Sequence, residues 1–311
     1  MFLTVCPNTA LDKIIFIDEW TPGIPMRTNH MLTSVGGKGL NSAVVLHQLG
    51  ADVTAMGFFA ENTGKELLSL LEDEGVIAKP VWVGGINRIS YIFAEQRTNV
   101  TSHVIFGEVY VSKEQKQEFL EKFSILIQRA QWAILAGTLP PTLNDDFYSE
   151  LIAIANSAKV PVLIDSQKQY MVEAVKAKPE IVKMNREEFE WTFEKNASNL
   201  NDLIQLTGSF RQQNDIHNLV ITLGKEGILA FTTEGDYLAK APLQKVVNAA
   251  GAGDSVSSTL VFRLSKEDTW ETALRWSCAV SAATVLTERT GGIGIADVSR
   301  ILTDVEVKRI N

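Results

Sequence analysis

The sequence predicts an α/β protein in which helices cover both faces of a central, mostly parallel sheet. Short apolar runs of strand length alternate along the chain with longer segments whose apolar residues recur at helical spacing. Strands that are regularly followed by helices pair in parallel, because a parallel neighbour requires a crossover connection. No Pro- or Ser-rich linker, charge block or repeat interrupts the 311 residues, so we expect one large domain rather than two.

The predicted strands are short apolar runs, many of them rich in Val and Ile, and several are bounded by turn residues. In chain order they are Phe2–Cys6, Ile14–Asp18, Val53–Phe58, Ile89–Ala94, Trp132–Ala136, Val160–Asp165, Ile181–Met184, Leu219–Leu223 and Ile228–Phe231.

Three helices can be placed between these strands. In the segments 119–127 and 147–155, apolar residues recur three or four positions apart, which is typical of an amphipathic helix. A third helix over Asn41–Leu49 is expected to end at Gly50, because glycine often follows the last residue of a helix.

Two segments, about 10–35 and about 85–110, contain short strand and turn patterns without helices. By pairing with each other they would form a small accessory sheet outside the main layers. The predicted organisation is therefore one domain over residues 1–311, with a small β lid built from these two segments.

Composition excludes several classes of protein. The chain has 29 Lys and Arg against 37 Asp and Glu, a net charge of −8, whereas a nucleic-acid binder usually carries a basic face. Only Cys6 and Cys278 are present, so neither a disulfide framework nor a zinc cluster is expected. No apolar stretch approaches the ~18 to 20 residues that span a bilayer, and the N-terminus reads as a strand, not a signal peptide. We expect a cytoplasmic protein with no nucleic-acid or membrane partner.

A first glycine-rich loop, Gly36-Gly37-Lys38-Gly39-Leu40-Asn41, directly precedes a helical pattern. Adjacent glycines allow the backbone to approach a ligand closely, and the N–H groups at the start of a helix favour anions or hydroxyls. The spacing fits neither the dinucleotide fingerprint nor the P-loop. A flexible turn is the alternative interpretation of this hexamer taken alone.

A second loop, Gly251-Ala252-Gly253-Asp254, precedes another helical pattern. Successive N–H groups at a helix start can form an anion hole for a phosphoryl group in transfer. A carboxylate in that first turn can accept the proton of a substrate hydroxyl that attacks phosphorus. The alternative is an ordinary aspartate at a helix start.

Together these loops resemble the PfkB-type carbohydrate kinases of the ribokinase-like fold, and among them the 1-phosphofructokinase and tagatose-6-phosphate kinase branch. The resemblance runs along nearly the whole chain and rests on ordered motifs. These are Asn8-Thr9-Ala10-Leu11-Asp12, Gly36–Asn41, Ala136-Gly137-Thr138-Leu139-Pro140-Pro141, Asn185-Arg186-Glu187-Glu188, Thr222-Leu223-Gly224-Lys225-Glu226-Gly227 and Gly251–Asp254.

The resemblance implies a role for individual residues. It makes Asp254 the catalytic base, with the anion hole formed by Gly251, Ala252 and Gly253. It places Glu188 near Mg²⁺ through water, with ATP as the co-substrate, and it leaves open whether a monovalent cation is required. The implied ATP-binding residues are Lys183, Asn185, Thr222, Gly224, Lys225 and Gly227. The implied substrate-binding residues are Asp12, Arg27, Gly36, Gly37, Lys38, Gly39, Asn41, Arg88 and Thr138.

The implied activity is ATP-dependent phosphorylation of a ketohexose phosphate, with fructose 1-phosphate first, then tagatose 6-phosphate or fructose 6-phosphate. Arg27 and Arg88 would hold the phosphate of the sugar, because the planar guanidinium binds phosphate in a bidentate manner. A kinase of an unphosphorylated sugar or nucleoside, and a non-catalytic sugar-phosphate-binding protein of the same fold, are the alternatives.

The chain departs from the family pattern at a few positions. Met184, Gln167 and Glu108 replace residues that are common in relatives, and the negative charge of Glu108 puts the identity of the sugar phosphate in doubt.

The resemblance also implies a homodimer formed through the lid. Apolar residues such as Ile14, Phe16, Ile89 and Ile92 would either face the partner copy or cover the active site.

Overall fold

Eleven strands form one large sheet in the computed structural model, which describes residues 1–98 and 100–310. Numbered in chain order, they are β1 (Phe2–Asn8), β4 (Val53–Ala60), β5 (Ile77–Gly85), β8 (Val109–Tyr110), β9 (Trp132–Ala136), β10 (Val162–Asp165), β11 (Ile181–Asn185), β12 (Asn218–Thr222), β13 (Ile228–Phe231), β14 (Asp236–Lys240) and β15 (Glu306–Arg309).

The spatial order of the large sheet is β15-β14-β13-β12-β11-β10-β9-β1-β4-β5-β8. The seven neighbouring strands from β12 to β5 are parallel. The strands β13, β14 and β15 at one edge and β8 at the other are antiparallel to their neighbours. The prediction of a mostly parallel central sheet is confirmed.

Two layers of helices cover the sheet, because its strands are apolar on both faces. Along β9, Ile134 and Ala136 face one layer, whereas Ala133 and Leu135 face the other. The first layer contains α1 (Lys38–Gln48), α2 (Glu61–Asp73), α8 (Ala252–Leu264), α9 (Trp270–Thr284) and α10 (Ile295–Leu302). The second contains α3 (Lys113–Ile127), α4 (Phe147–Ser157), α5 (Lys168–Lys176), α6 (Arg186–Thr192) and α7 (Leu200–Gln213).

The expected helices agree with α1, α3 and α4, and Gly50 follows α1 with φ of +84°. Of the nine expected strands, Trp132–Ala136 and Ile228–Phe231 are reproduced residue for residue. The other seven overlap observed strands, with ends that differ by up to four residues. Within the described residues, no helix is long and apolar enough to cross a membrane.

A second, four-stranded sheet lies outside the layers, in the order β3-β2-β6-β7. Its strands are β2 (Ala10–Ile17), β3 (Met31–Gly36), β6 (Arg88–Glu95) and β7 (Thr101–Phe106). The hairpins β2–β3 and β6–β7 are antiparallel, and they join through parallel pairing of β2 with β6. Along the chain, β1 leads into β2 and β5 leads into β6. After the hairpins, β3 is followed by α1 and β7 by β8.

The small sheet has its own apolar cluster. Ile14, Phe16 and Ile92 are each less than 10% exposed and pack with the partly buried Leu32 and Ala94. The expectation that Ile14, Phe16 and Ile92 offer a face to a partner copy is therefore wrong, because the chain itself covers these side chains.

Candidate active site

Asp254 lies in the first turn of α8, and the preceding glycine determines how the chain enters this helix. Gly251 is the N-cap in the left-handed region, with φ of +83°, and a Cβ there would lie 2.5 Å from the Gly291 nitrogen. The first N–H groups of a helix lack intrahelical acceptors, so the amide of Gly253 is suited to an anion, and Ala252 N makes only a long hydrogen bond of 3.4 Å to the Ala249 carbonyl. The structure thus places the Asp254 carboxylate beside the N-terminal amides of a helix.

The Asp254 carboxylate is almost completely buried, at 6% exposure. Asn41 Nδ2, from α1, donates to Asp254 Oδ2 at 2.8 Å, so the two glycine-rich loops meet here. Burial raises the pKa of Asp254 to about 6, with the charge of Asp165 adding to the effect, while Lys38 and Lys183 lower it. A pKa near neutrality suits a general base, because the group is ionised at working pH and can still hold a proton.

Asp165, at the carboxyl end of β10, organises the charges next to Asp254. Its Oδ1 accepts from Lys38 Nζ at 2.8 Å and its Oδ2 from Lys183 Nζ at 2.6 Å. Ser257 Oγ, on α8, also donates to Asp165 Oδ2, at 3.0 Å. Burial alone would raise the pKa of Asp165, but Lys183 and Lys38 lower it to about 2. This carboxylate is therefore ionised and holds two lysines in place.

Lys38, the first residue of α1, forms ion pairs with two acidic residues. Its ammonium contacts Asp165 and Glu188, the latter at 2.7 Å, and it lines the same cavity as Asp254. Burial alone would lower the pKa of Lys38, but Asp165 and Glu188 raise it above its ordinary value. The sequence implied that Lys38 contacts the sugar, whereas the structure places its charge among the residues expected to bind ATP.

Asn185 and Glu188 form a capping box at the start of α6. Glu188 N donates to Asn185 Oδ1 at 2.7 Å, and Asn185 N donates to Glu188 Oε2 at 3.0 Å. The other Glu188 oxygen accepts from Lys38. Over residues 1–98 and 100–310, no three His, Cys, Asp or Glu side chains form a metal-binding group. The donors present are oxygens, which Mg²⁺ prefers, and they fit an ion held mainly by phosphate oxygens and water.

A cavity of about 520 Å³ extends from Asp254 along the end of the sheet. All six expected ATP-binding residues line it, namely Lys183, Asn185, Thr222, Gly224, Lys225 and Gly227. Its lining also contains a group of apolar residues, namely Pro242, Leu243, Val246, Cys278 and Val285. Charged and apolar lining residues in one cavity suit the phosphates and the base of a nucleotide.

Asp12 lies on β2, where the small sheet approaches the first glycine-rich loop. Its carboxylate packs so closely on Gly36 that a Cβ there would lie 2.3 Å from Oδ1. Burial raises the pKa of Asp12 to about 6, while Thr290 and Arg88 lower it. A side chain at position 36 would therefore displace the Asp12 carboxylate.

Arg88, at the start of β6, contacts Thr138 in the turn that follows β9. Arg88 Nη1 and Asn8 Nδ2 both donate to Thr138 Oγ1, each at 3.2 Å. The Gly137 carbonyl before Thr138 accepts from Tyr148 and from Ser166, which fixes this turn. The Thr138 hydroxyl therefore accepts two hydrogen bonds and keeps its own proton for a ligand.

Arg27 lies elsewhere, in the exposed connection between β2 and β3. It lines a separate cavity of about 410 Å³ together with Phe16, His30 and Gln96, none of which lines the first cavity. The structure brings Arg88 and Thr138 together but does not bring Arg27 to them. Asp165, Ser257 and Asn8 are among the polar residues of the site that had no role assigned from the sequence, although Asn8 begins a motif and Asp165 ends an expected strand.

Two of the departures from the family pattern have structural explanations. Met184 is fully buried on β11 within the second apolar layer, where its flexible side chain fills the core. Gln167 is the N-cap residue of α5, outside the cavity that Asp254 lines. Neither side chain lines the cavity that Asp254 lines.

Known proteins resemble the chain along its whole length. A model of the pfkB family of carbohydrate kinases matches residues 5–294. A 1-phosphofructokinase from Bacillus subtilis (strain 168) is 27% identical over 310 residues, covering 100% of both chains. A tagatose-6-phosphate kinase from Staphylococcus epidermidis (strain RP62A) is 28% identical over 313 residues, covering 99% of both.

Solved structures share the fold. The tetrameric inhibited form of phosphofructokinase-2 from Escherichia coli superposes with a TM-score of 0.87 at 22% identity, over 97% of this chain and 98% of that one. Arabidopsis thaliana ribokinase, complexed with ribose and ATP, gives a TM-score of 0.75 at 17% identity over 96% and 98%. The predicted ribokinase-like fold, with its three layers and small extra sheet, is confirmed.

Proposed function

The chain belongs to the pfkB family of carbohydrate kinases, and from this premise we propose that it transfers the γ-phosphoryl group of ATP to a hydroxyl of a ketohexose phosphate. Fructose 1-phosphate is the first candidate, followed by tagatose 6-phosphate and fructose 6-phosphate. One observation carries the proposal: the buried Asp254 lies beside the helix N-terminus of α8 and in the cavity lined by the expected ATP-binding residues.

In the proposed reaction, Asp254 accepts the proton of the substrate hydroxyl as its oxygen attacks the γ-phosphorus. The bond from that phosphorus to the β,γ-bridging oxygen breaks, and ADP leaves. The backbone N–H groups of Gly251, Ala252 and Gly253 stabilise the charge on the migrating phosphoryl group. Lys38, held by Asp165 and Glu188, adds a positive charge on the same side.

Mg²⁺, when bound with ATP, would neutralise phosphate oxygens, and Asn185 and Glu188 would hold it through water. Glu188 suits this indirect role because Lys38 and the Asn185 backbone already occupy its two oxygens. A water molecule can bridge an occupied carboxylate oxygen to the metal, since such an oxygen has more than one lone pair.

The Arg88–Thr138 pair supports a phosphorylated sugar. Within the described residues, Arg88 Nε is buried without a hydrogen-bond partner, and the Thr138 hydroxyl retains a proton to donate. An anion between the two would satisfy both groups, and guanidinium suits phosphate. Asp12, Gly37 and Asn41 would bind the hydroxyl groups of the sugar.

We propose further that two copies of the chain pair through the small sheet, which acts as a lid. On β7, Val104, Ile105 and Phe106 are each more than half exposed, so this strand presents an apolar surface. Light scattering of the purified protein and of the double variant Val104→Glu, Phe106→Glu tests this, since a dimer in the wild type and a monomer in the variant is expected. A monomeric wild type would refute the pairing.

A coupled assay of ADP formation tests the activity. The substrates are fructose 1-phosphate, tagatose 6-phosphate, fructose 6-phosphate, free fructose and free ribose, each with ATP and Mg²⁺. We expect turnover with at least one ketohexose phosphate and much less with the free sugars. Turnover with free sugars alone, or binding without any turnover, would contradict the proposal.

Replacing Asp254 by Asn tests the assignment of the base. We expect kcat to fall by about 10²- to 10⁴-fold while ATP still binds, because a general base contributes about that factor. Asp202→Asn is the matched control, since Asp202 also lies in the first turn of a helix, α7, but is exposed and outside the cavity. Near-normal turnover of Asp254→Asn would remove Asp254 from the mechanism.

A further inference from the structure

Two buried polar side chains lie where the chain passes from the large sheet into the small one. Thr9 is the single residue between β1 and β2, and Asn87 is the last residue between β5 and β6. Both are fully buried, and Asn87 Nδ2 donates to Thr9 Oγ1 at 2.7 Å. Two crossings that are 78 positions apart in the sequence are thus joined by one hydrogen bond. We call Thr9 and Asn87 the crossing pair.

The crossing pair is anchored to the large sheet. Thr9 Oγ1 donates to the Phe58 carbonyl of β4 at 2.7 Å, and Asn87 Nδ2 donates to the same carbonyl at 3.0 Å. Asn87 Oδ1 accepts from the Ala60 backbone at 2.6 Å, and Asn87 N donates to Thr63 Oγ1 at 3.0 Å. Both polar atoms of the Asn87 side chain are therefore bonded, which fixes its orientation.

The residue that follows Asn87 is Arg88. The parallel pairing of β2 with β6 begins immediately after the crossing pair, with Ala10 opposite Arg88. A backbone shift at either crossing would therefore move the guanidinium relative to Thr138 and to Asp254. Small displacements of a binding group can cost large factors in rate even when the substitution lies away from the reacting atoms.

We infer that Thr9 and Asn87 are positioning residues that place Arg88 for binding of the sugar phosphate. They act through Arg88 and touch no substrate themselves. This inference rests on the proposed function, because it assigns Arg88 to the phosphate of the sugar. It adds that the affinity for that phosphate depends on a buried hydrogen bond between two crossings of the chain.

Thr9→Val tests the inference, because valine keeps the shape and removes the hydroxyl. We expect KM for the sugar phosphate to rise by about five- to tenfold, because Asn87 Nδ2, next to Arg88 in the chain, loses Thr9 Oγ1 as an acceptor. KM for ATP should change by less than about twofold, because neither residue lines the cavity with the expected ATP-binding residues. Thr9→Ser restores the hydroxyl and should return KM for the sugar phosphate to within about twofold of the wild type. Equal increases in both KM values, or no increase, would overturn the inference.

Thr207→Val is the matched control. Thr207 is also fully buried, and its hydroxyl donates to the Leu203 carbonyl of α7 at 2.6 Å, away from the small sheet. The Thr207→Val variant loses a comparable hydrogen bond, so the substitution should lower the stability of the protein and leave both KM values unchanged. If Thr207→Val raises KM for the sugar phosphate as much as Thr9→Val does, the effect is one of stability and the inference fails.

A double-mutant cycle with Arg88→Ala tests whether the crossing pair acts through Arg88. Arg88→Ala alone should raise KM for the sugar phosphate far more than KM for ATP. In the Arg88→Ala background, Thr9→Val should raise KM for the sugar phosphate by less than about twofold, because the effects of two substitutions that act through the same group are not additive. A full five- to tenfold further increase would overturn the inference.

A measurement independent of turnover separates this inference from the proposed function. If the wild type phosphorylates no sugar phosphate, the proposed function fails. Amide hydrogen exchange then still tests whether the crossing pair holds β6 in place. Faster exchange of β6 in Thr9→Val, and not in Thr207→Val, would support its role in holding Arg88. Equal exchange of β6 in both variants would refute it.

Discussion

Replacing Asn41 by Ala is expected to raise the pH at which Asp254, the proposed catalytic base, becomes protonated. Asn41 Nδ2 donates to Asp254 Oδ2 at 2.8 Å and stabilises the ionised carboxylate. Burial already raises the pKa of Asp254 to about 6, so loss of this donor raises it further. A hydrogen bond to a charged group contributes about 1.5 to 3 kcal/mol, and the protonated acid keeps part of it. We therefore expect an upward shift of about one pKa unit, or about 1.4 kcal/mol.

The direction of the effect on activity follows from the role of the base. Asp254 accepts a proton only when it is ionised, so activity is lost as the pH falls through its pKa. With a pKa of about 6, about three quarters of the wild-type carboxylate is ionised at about pH 6.5. After a shift of about one unit, the ionised fraction at that pH is about one quarter.

The assay is kcat/KM for the sugar phosphate between about pH 5 and pH 9 at saturating MgATP and constant ionic strength. Asn41 is also assigned to the sugar, so the midpoint of the acid limb is compared and not the absolute rate. The pKa of Asp12, which burial raises to about 6, and the titration of the sugar phosphate contribute in every variant. Only the difference in midpoint between variants reports on Asp254.

Thr138→Ala is the control for this assay. It removes a hydroxyl beside Arg88 and touches neither Asn41 nor Asp254, so it should lower kcat/KM without moving the midpoint. A midpoint for Asn41→Ala at or below that of the wild type would refute the electrostatic reasoning. An equal shift in Thr138→Ala would do the same.

Two further substitutions test the close contacts of the site. Gly36→Ala places a Cβ 2.3 Å from Asp12 Oδ1, so KM for the sugar phosphate should rise about tenfold while KM for ATP stays unchanged. A Cβ at Gly84 meets open space, so the control Gly84→Ala should change neither KM value. Equal kinetics for the two variants would refute this prediction. Lys38→Met removes the cation that Asp165 and Glu188 share, and urea unfolding should show that the free energy of unfolding falls by about 2 to 3 kcal/mol. This value is at or below the lower end of the usual cost of breaking a buried ion pair, because Lys38 is partly exposed. Lys176→Met, which breaks an exposed pair with Glu173, should cost less than about 1 kcal/mol, and equal losses would contradict the reasoning.

The inner strands of the large sheet could be predicted because both of their faces are covered. All eight residues of β4 are buried, so this strand reads as an uninterrupted run of apolar and small residues. Edge strands lack this signal. The edge strand β15 has the sequence Glu-Val-Lys-Arg, so it could not be recognised from hydrophobicity.

The glycine-rich loops could be predicted because their chemistry is local, with glycine, helix start and acid within a few positions. The charge network could not, because Asp165 and Lys38 are 127 positions apart and only the fold brings them together. The direction of a long side chain is equally non-local. Lys38 belongs to the first loop, yet its ammonium lies beside Glu188, 150 positions away. The placement of Arg27 depends on an exposed connection that no sequence motif specifies.

Each hairpin of the small sheet leaves and re-enters the rest of the protein at one point. Ala10 pairs with Gly36 across the base of the first hairpin, and Ile86 N donates to the Glu108 carbonyl at 2.9 Å across the base of the second. Because the cost of closing a loop grows slowly with its length, such hairpins can be shortened, extended or exchanged without separating their roots. Asp12 and Arg88, two of the residues that we assign to the sugar phosphate, lie on these exchangeable parts, whereas Asp254 lies on α8. On the proposed assignment, we expect that grafting hairpins changes the substrate range and leaves Asp254 and its surroundings in place.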